Sequence, residues 1–286
     1  MTMKNSFQVS QVNRCRWNVL DLITVVARHS VPTYLFCEID MSWAEDLKKK
    51  FAQKGEAITV TAMLLKAIAI AQKQCPSSRT IILPFGKVAT LTDIVAGFTV
   101  ERFIENGPVV FFGSIEAPDT KLLTDIMDEL KDYKEADIDK HPQLNQQHQF
   151  TKVPWLIRQV VLCLGMVFPQ IRLKISAATF GLSSLGKYGV CAVTGPCVST
   201  STFGVGMVEQ RPVARNGKLE IHPMMTLSLS FDHRLIDGAA AARFLQDVRS
   251  LMEGGLELYQ PAYLLSELFD SQTTSTVASD VLQSNS

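Results

Sequence analysis

Residues 225–240 read MTLSLSFDHRLIDGAA, and two periodicities meet inside them. Met225, Leu227, Leu229 and Phe231 alternate with Thr226, Ser228, Ser230 and Asp232, the period of two that buries one face of a strand. From Ala239 the chain continues AAAARFLQDVRSLME, a stretch of strong intrinsic helix propensity. The seven residues between, Asp232-His233-Arg234-Leu235-Ile236-Asp237-Gly238, therefore join a half-buried strand to a helix N-terminus. A side chain leaving a strand end is held by the packing behind it. His233 is thereby a candidate general base, because an imidazole exchanges protons near neutrality. Asp237, four residues on, could orient the site or stabilise charge in it, and could equally cap the helix.

Working outward from this junction, Trp17 to Arg28 has a helical pattern that Pro32 ends, and VPTYLFCEIDM (31–41) fits a strand. Ser42 with Glu45 makes a capping box for WAEDLKKKFAQKG, which Gly55 stops. A second Thr-capped helix runs from about 61 to 74 and closes at Pro76; its Leu, Ile and Ala content predicts burial on more than one side. Residues 80–116 are strand-rich, with Asn106-Gly107 as a turn between two runs. The spacing then predicts a helix over 119–135, a polar surface loop over 136–152, an apolar helix over 153–168 and strands through the Gly- and Ser-rich centre at 175–208. No internal repeat or linker interrupts this order. One mixed α/β domain over 12–266 is the economical reading, with a loose tail over 1–11 and a polar, disordered tail over 267–286.

Composition narrows the function. The 286 residues are 47% apolar, ample for a large core. Lys plus Arg equals Asp plus Glu at 28 each, so the chain offers no general field to a phosphate backbone, and a nucleic-acid partner is not expected. The longest apolar run, 153–168, is broken by Arg158 and Gln159 and is shorter than the roughly 20 residues of a membrane span. The first residues hold no apolar signal core. We expect a cytoplasmic protein with no membrane partner. The six cysteines (15, 37, 75, 163, 191 and 197) lack paired metal-ligand spacing and sit mostly in apolar stretches. They read as buried thiols in a reducing compartment, with no disulfide framework and no metal.

Asp-His-Arg-x-x-Asp-Gly fixes the residue at five of seven positions, a pattern expected by chance in roughly one chain in ten thousand. DHRLIDGAAAARFLQDVRSLME closely resembles the catalytic signature of the acyltransferase components of 2-oxo acid dehydrogenase complexes, in the chloramphenicol acetyltransferase-like superfamily. VPTYLFCEIDMSWAEDLKKKF is similar to the family's entry strand and first helix, VTAMLLKAIAIAQKQCP to its second helix, and TFGLSSLGKYGV (179–190) to its Thr-Phe-x-x-Ser-Ser-x-Gly-x-x-Gly segment. The similarity covers about 16–255. It implies a chloramphenicol acetyltransferase-like α/β fold, a two-layer mixed sheet with helices packed on one side, assembled as a homotrimer whose active sites lie between subunits.

The resemblance also implies roles. His233 matches the catalytic base, which takes the proton of a thiol or alcohol attacking an acyl thioester. Ser183 matches the hydroxyl that stabilises the tetrahedral oxyanion; taken alone, Ser183-Ser184 could be an ordinary Ser/Gly turn. Asp237 matches a partly structural Asp or Asn, which an N-terminal Arg often pairs; Arg16 is the nearest candidate. Transfer in this family is direct, so Cys191 and Cys197 are not expected as nucleophiles. No cofactor is bound permanently, and acyl-CoA, with acetyl-CoA the commonest, is the co-substrate. The chain departs from the complex-forming members in three ways: the dozen residues before the catalytic region carry no lipoyl domain, AVTGPCVSTSTFGVG is shorter and more polar, and 153–174 is like free-standing members. The main expectation is therefore a free-standing transferase moving an acetyl group from CoA to a hydroxyl of a small molecule, as in natural-product pathways. The alternatives are a dihydrolipoamide acyltransferase core served by a separate lipoyl protein, and a catalytically silent scaffold.

Overall fold

In chain order the strands are β1 (Pro32–Asp40), β2 (Thr80–Leu83), β3 (Lys87–Thr90), β4 (Val95–Ile104), β5 (Gly107–Glu116), β6 (Phe180–Ser184), β7 (Ser201–Arg215) and β8 (Lys218–Asp232). The helices are α1 (Trp17–Ala27), α2 (Ser42–Gln53), α3 (Val60–Gln74), α4 (Leu123–Glu135), α5 (Pro142–Lys152), α6 (Trp155–Val167) and α7 (Gly238–Met252). They belong to a computed structural model that describes residues 16–27, 30–104, 107–168 and 178–259. The tails expected at 1–11 and 267–286 and the turn residue Asn106 lie outside the described residues.

Among the described residues β2 pairs only with β3, and the other six strands form one mixed sheet in the order β1-β8-β7-β6-β4-β5. β6 runs parallel to both of its neighbours, and the remaining pairs are antiparallel. One face is apolar and carries the helices. Leu227, Leu229 and Phe231 of β8 are wholly buried. Phe203 of β7 meets Phe244 of α7 edge-on at 5.5 Å, and Phe98 of β4 meets Tyr133 of α4 at 5.1 Å. α7 turns Ala241, Phe244, Leu245, Val248 and Met252 inward, the stripe that a 3.6-residue period lays on one side. α3 is buried from Ala62 to Gln72, as its composition predicts, and is capped by Thr59, whose hydroxyl accepts the Ala62 amide at 3.3 Å. Truncating Phe203 or Phe244 to Ala would cost about 3–5 kcal/mol. The expected architecture, a mixed sheet with helices on one side, is the observed one.

The opposite face differs from its sequence pattern. Ser228 and Ser230 of β8 should face water, yet both are fully buried. The segment before β7 crosses above them. A Cβ at Gly204 would stand 1.9 Å from the Val193 carbonyl oxygen, and one at Gly206 would stand 2.0 Å from that of Cys191. The Ser228 hydroxyl donates to the Val193 carbonyl. Two missing side chains on β7 let the backbone lie flat on the sheet, and a hydroxyl then satisfies the carbonyl it buries.

Several local expectations are corrected. Residues 136–152 are not a loop, because Pro142–Lys152 forms α5. His141 caps it by accepting the Leu144 amide at 3.4 Å, and Pro142 occupies the first turn. Its Gln147 accepts the Phe112 amide at 2.9 Å and donates to the Phe112 carbonyl at 2.6 Å, closing the edge of β5. Ser42 begins α2 without capping it: its hydroxyl donates to Asp40 at 2.6 Å, while Glu45 pairs with Lys48 at 2.8 Å. The helix expected at 119 starts at Leu123. β7 and β8 extend into a hairpin whose Asn216-Gly217 turn is left-handed at both residues, φ 49° and 76°. Cys163 and Cys191 are exposed rather than buried; the five described cysteines are all free.

Candidate active site

β8 ends at Asp232, and this buried carboxylate organises the turn that follows. It accepts the Val31 amide at 3.3 Å, the Arg234 amide at 3.2 Å, and the Arg234 guanidinium through Nε at 2.9 Å and Nη2 at 2.5 Å. The Asp232 carbonyl accepts the amides of Leu235 and Ile236 at 3.0 and 3.2 Å. The His233 amide donates to the Val31 carbonyl at 3.0 Å, so the residue leading into β1 holds the turn from the other side. Ile236 is buried and pins the far end. Burial alone would raise the Asp232 carboxyl, but the Arg234 guanidinium and the two backbone amides outweigh it and hold the group below the usual carboxylate range. The result is a rigid turn that presents His233 outward, its ring 5.6 Å from that of Phe231.

Asp237 occupies the N-cap position of α7 with extended backbone angles, φ −74° and ψ 150°. Its carbonyl accepts the Ala241 amide at 2.9 Å, but its carboxylate makes no capping bond and is exposed. Arg16 is exposed at the start of α1, and no ion pair joins it to Asp237 among the described residues. The ion pair of that region is buried: Arg158 of α6 donates to Asp21 of α1 at 2.7 Å.

Ser183 lies near the end of β6, half-buried, where Thr99 of β4 donates a hydroxyl to its Oγ at 3.4 Å. Beyond it the turn Gly186–Tyr188 places Lys187 2.9 Å from Glu101, which the Tyr188 hydroxyl also reaches. Ser183 pairs with Gly204, and Gly204 with Ser228, five residues before His233. Two strand spacings and five residue rises separate the backbones of Ser183 and His233 by roughly 19 Å, more than both side chains can span. One chain therefore does not bring these two groups together. Cys197 is buried, and its thiol is pushed up to about 12 by that burial and by the Asp232 charge, which keeps it protonated. Motif reading included Asp232 without giving it a role, and missed Thr99. An Asp closing a strand two residues before an Arg was the available signal for the first; no local signal exists for the second.

Comparison with known proteins follows the same segment. Residues 172–259 match the family model of the 2-oxoacid dehydrogenases acyltransferase catalytic domain. The lipoamide acyltransferase component of the branched-chain alpha-keto acid dehydrogenase complex of Pseudomonas putida is 42% identical over 99 residues, 34% of this chain and 22% of that protein. The dihydrolipoyllysine-residue succinyltransferase component of the 2-oxoglutarate dehydrogenase complex of Rickettsia bellii is 42% identical over 82 residues, 28% of this chain and 20% of that protein. The chain thus matches about a fifth of the length of these relatives. A dihydrolipoamide acetyltransferase of Azotobacter vinelandii, investigated for the role of a serine, a histidine and an asparagine in its catalytic mechanism, superposes with a TM-score of 0.62 at 21% identity, covering 87% of this chain and 92% of that one.

These relatives overturn the expectation of a free-standing transferase acetylating a small-molecule hydroxyl. Each is named as a complex component or for a lipoyl thiol carrier, and none acylates an alcohol of a natural product by name. Residues 172–259 match the catalytic-domain model of the 2-oxoacid dehydrogenase acyltransferases, and the described chain has the fold of the Azotobacter vinelandii dihydrolipoamide acetyltransferase.

Proposed function

We propose that this chain is an acyltransferase core that exchanges an acyl group between CoA and a dihydrolipoyl group carried by a lipoyl domain. The observation that carries this reading is His233, held outward by the Asp232 clamp inside the segment that matches the transferase family. The imidazole removes the proton of the attacking thiol, and the thiolate adds to the thioester carbonyl carbon. The carbonyl oxygen becomes an anion, to which Ser183 donates its hydroxyl; one such donor is typically worth roughly 10²–10³ in rate. Collapse breaks the original C–S bond, and the leaving thiolate takes back the proton held by His233. No acyl-enzyme forms, in keeping with the protonated thiol of Cys197. The exposed carboxylate of Asp237 lies four residues from His233 and supports the site electrostatically.

The separation of His233 from Ser183 calls for a second copy of the chain to complete each site, and a closed symmetric oligomer repeats such a contact; the resemblance makes that oligomer a homotrimer. Acyl transfer from a panel of acetyl-, succinyl- and isobutyryl-CoA to free dihydrolipoamide tests the reading. S-acyl-dihydrolipoamide should form with at least one donor and vanish in His233→Ala. Absence of product with every donor, or full activity in His233→Ala, refutes it.

A further inference from the structure

We infer that Thr99 is a positioning residue for the Ser183 hydroxyl; the inference rests on the role proposed above for Ser183. β4 and β6 are parallel, with Phe98 paired to Leu182, so the next residues, Thr99 and Ser183, emerge side by side on the face away from the helices. The Thr99 hydroxyl donates to Ser183 Oγ at 3.4 Å. A serine hydroxyl has one proton and two lone pairs. If that proton is to reach an oxyanion, it must not be spent on a neighbour, and a donor on the lone-pair side enforces this. Thr99 supplies that donor. Its β-branched side chain has few accessible rotamers, so the direction of the bond is set by the strand itself.

Chains of hydroxyls also polarise one another: Thr99 giving to Ser183 makes Ser183 a better donor to a developing negative charge. The contact is longer than the 2.7–2.8 Å common for hydroxyl pairs, as bonds in unloaded sites often are before substrate draws them in. The nearest carboxylate on the same strand face, Glu101, does not compete for the serine proton, because the Lys187 ammonium and the Tyr188 hydroxyl occupy it. Thr99 is itself exposed, so its replacement opens no core cavity.

The test is a set of variants assayed for kcat and for KM toward both thiol substrates. Thr99→Val, which keeps shape and strand preference, should lower kcat about three- to tenfold, the worth of one neutral hydrogen bond, with each KM within about twofold of wild type. Thr99→Ser should recover most of the loss. In a Ser183→Ala background, Thr99→Val should change nothing further, because its effect passes through the serine. Wild-type kcat in Thr99→Val, or an equal fall in the Ser183→Ala background, overturns the inference while leaving the role of Ser183 intact. Wild-type kcat in Ser183→Ala overturns both.

Discussion

Replacing Asp232 by Asn probes the turn that presents His233. The carboxamide keeps the shape and can still accept the Val31 and Arg234 amides, now at 3.3 and 3.2 Å. It loses the charge-assisted bonds to the guanidinium at 2.9 and 2.5 Å. Such bonds contribute about 1.5–3 kcal/mol against about 1 for neutral ones. The Arg234 side chain is 40% exposed, which screens part of that difference. The net loss should be about 1–2 kcal/mol, or a fall in Tm of roughly 2–8 °C for a domain of this size. Catalysis should suffer more, with kcat down about 10- to 100-fold, since a displacement near 1 Å at a reacting group can cost that much. The pH dependence carries a sign. Because the folded Asp232 carboxyl lies below its ordinary range, its contribution is present above about pH 4 and is lost as pH falls through the lowered folded value. The stability gap between wild type and Asp232→Asn should therefore close on acidification below about pH 4. Thermal melts at several pH values, with kcat measured near neutrality, test this. A variant matching wild type in both Tm and kcat refutes the clamp.

Other outcomes follow from the same structure. Gly204→Ala should destabilise the fold by more than about 3 kcal/mol, because the Val193 carbonyl would stand 1.9 Å from the new Cβ and the crossing segment would have to lift off the sheet. A wild-type melt in that variant contradicts the close approach. Arg158→Ala should cost about 3–5 kcal/mol by stranding the Asp21 carboxylate in the interior, whereas Arg158→Ala combined with Asp21→Ala should recover a large part of it. Denaturant unfolding of the single and double variants reads the difference, and additive losses would count against the pair.

The strand-turn-helix around His233 was legible in sequence because one period switches to another within a few residues, and because the motif is too specific for chance. The roofed face was not. Ser228 and Ser230 look like a solvent face until the crossing of residues 191–193 over β7 is known, and only Gly204 and Gly206 hint at it. α5 escaped notice because its glutamines act as hydrogen-bonding groups against β5 rather than as an apolar stripe; its buried residues are just Leu144 and Thr151. His141-Pro142 was the available start signal. The sequence offered the proposed site residues as types and gave nothing of their geometry. A parallel strand places Ser183 at the end of the sheet remote from His233, and 84 residues separate it from Thr99, so no local pattern reveals either relation. The substrate expectation erred for a different reason: it rested on three departures from the complex-forming members, and one of these, the polar segment after Ser183, supplies the roof of the sheet.

The central claim is that each active site takes His233 from one copy and Ser183 from another. Mixing His233→Ala and Ser183→Ala chains, each inactive alone, after unfolding and joint refolding tests it directly. With two affinity tags used in sequence to isolate mixed trimers, about a third of wild-type kcat should return, because a ring of two chains of one kind and one of the other has one interface in three with an intact histidine on one side and an intact serine on the other. Mixed assemblies that remain as inactive as their parents would contradict the claim.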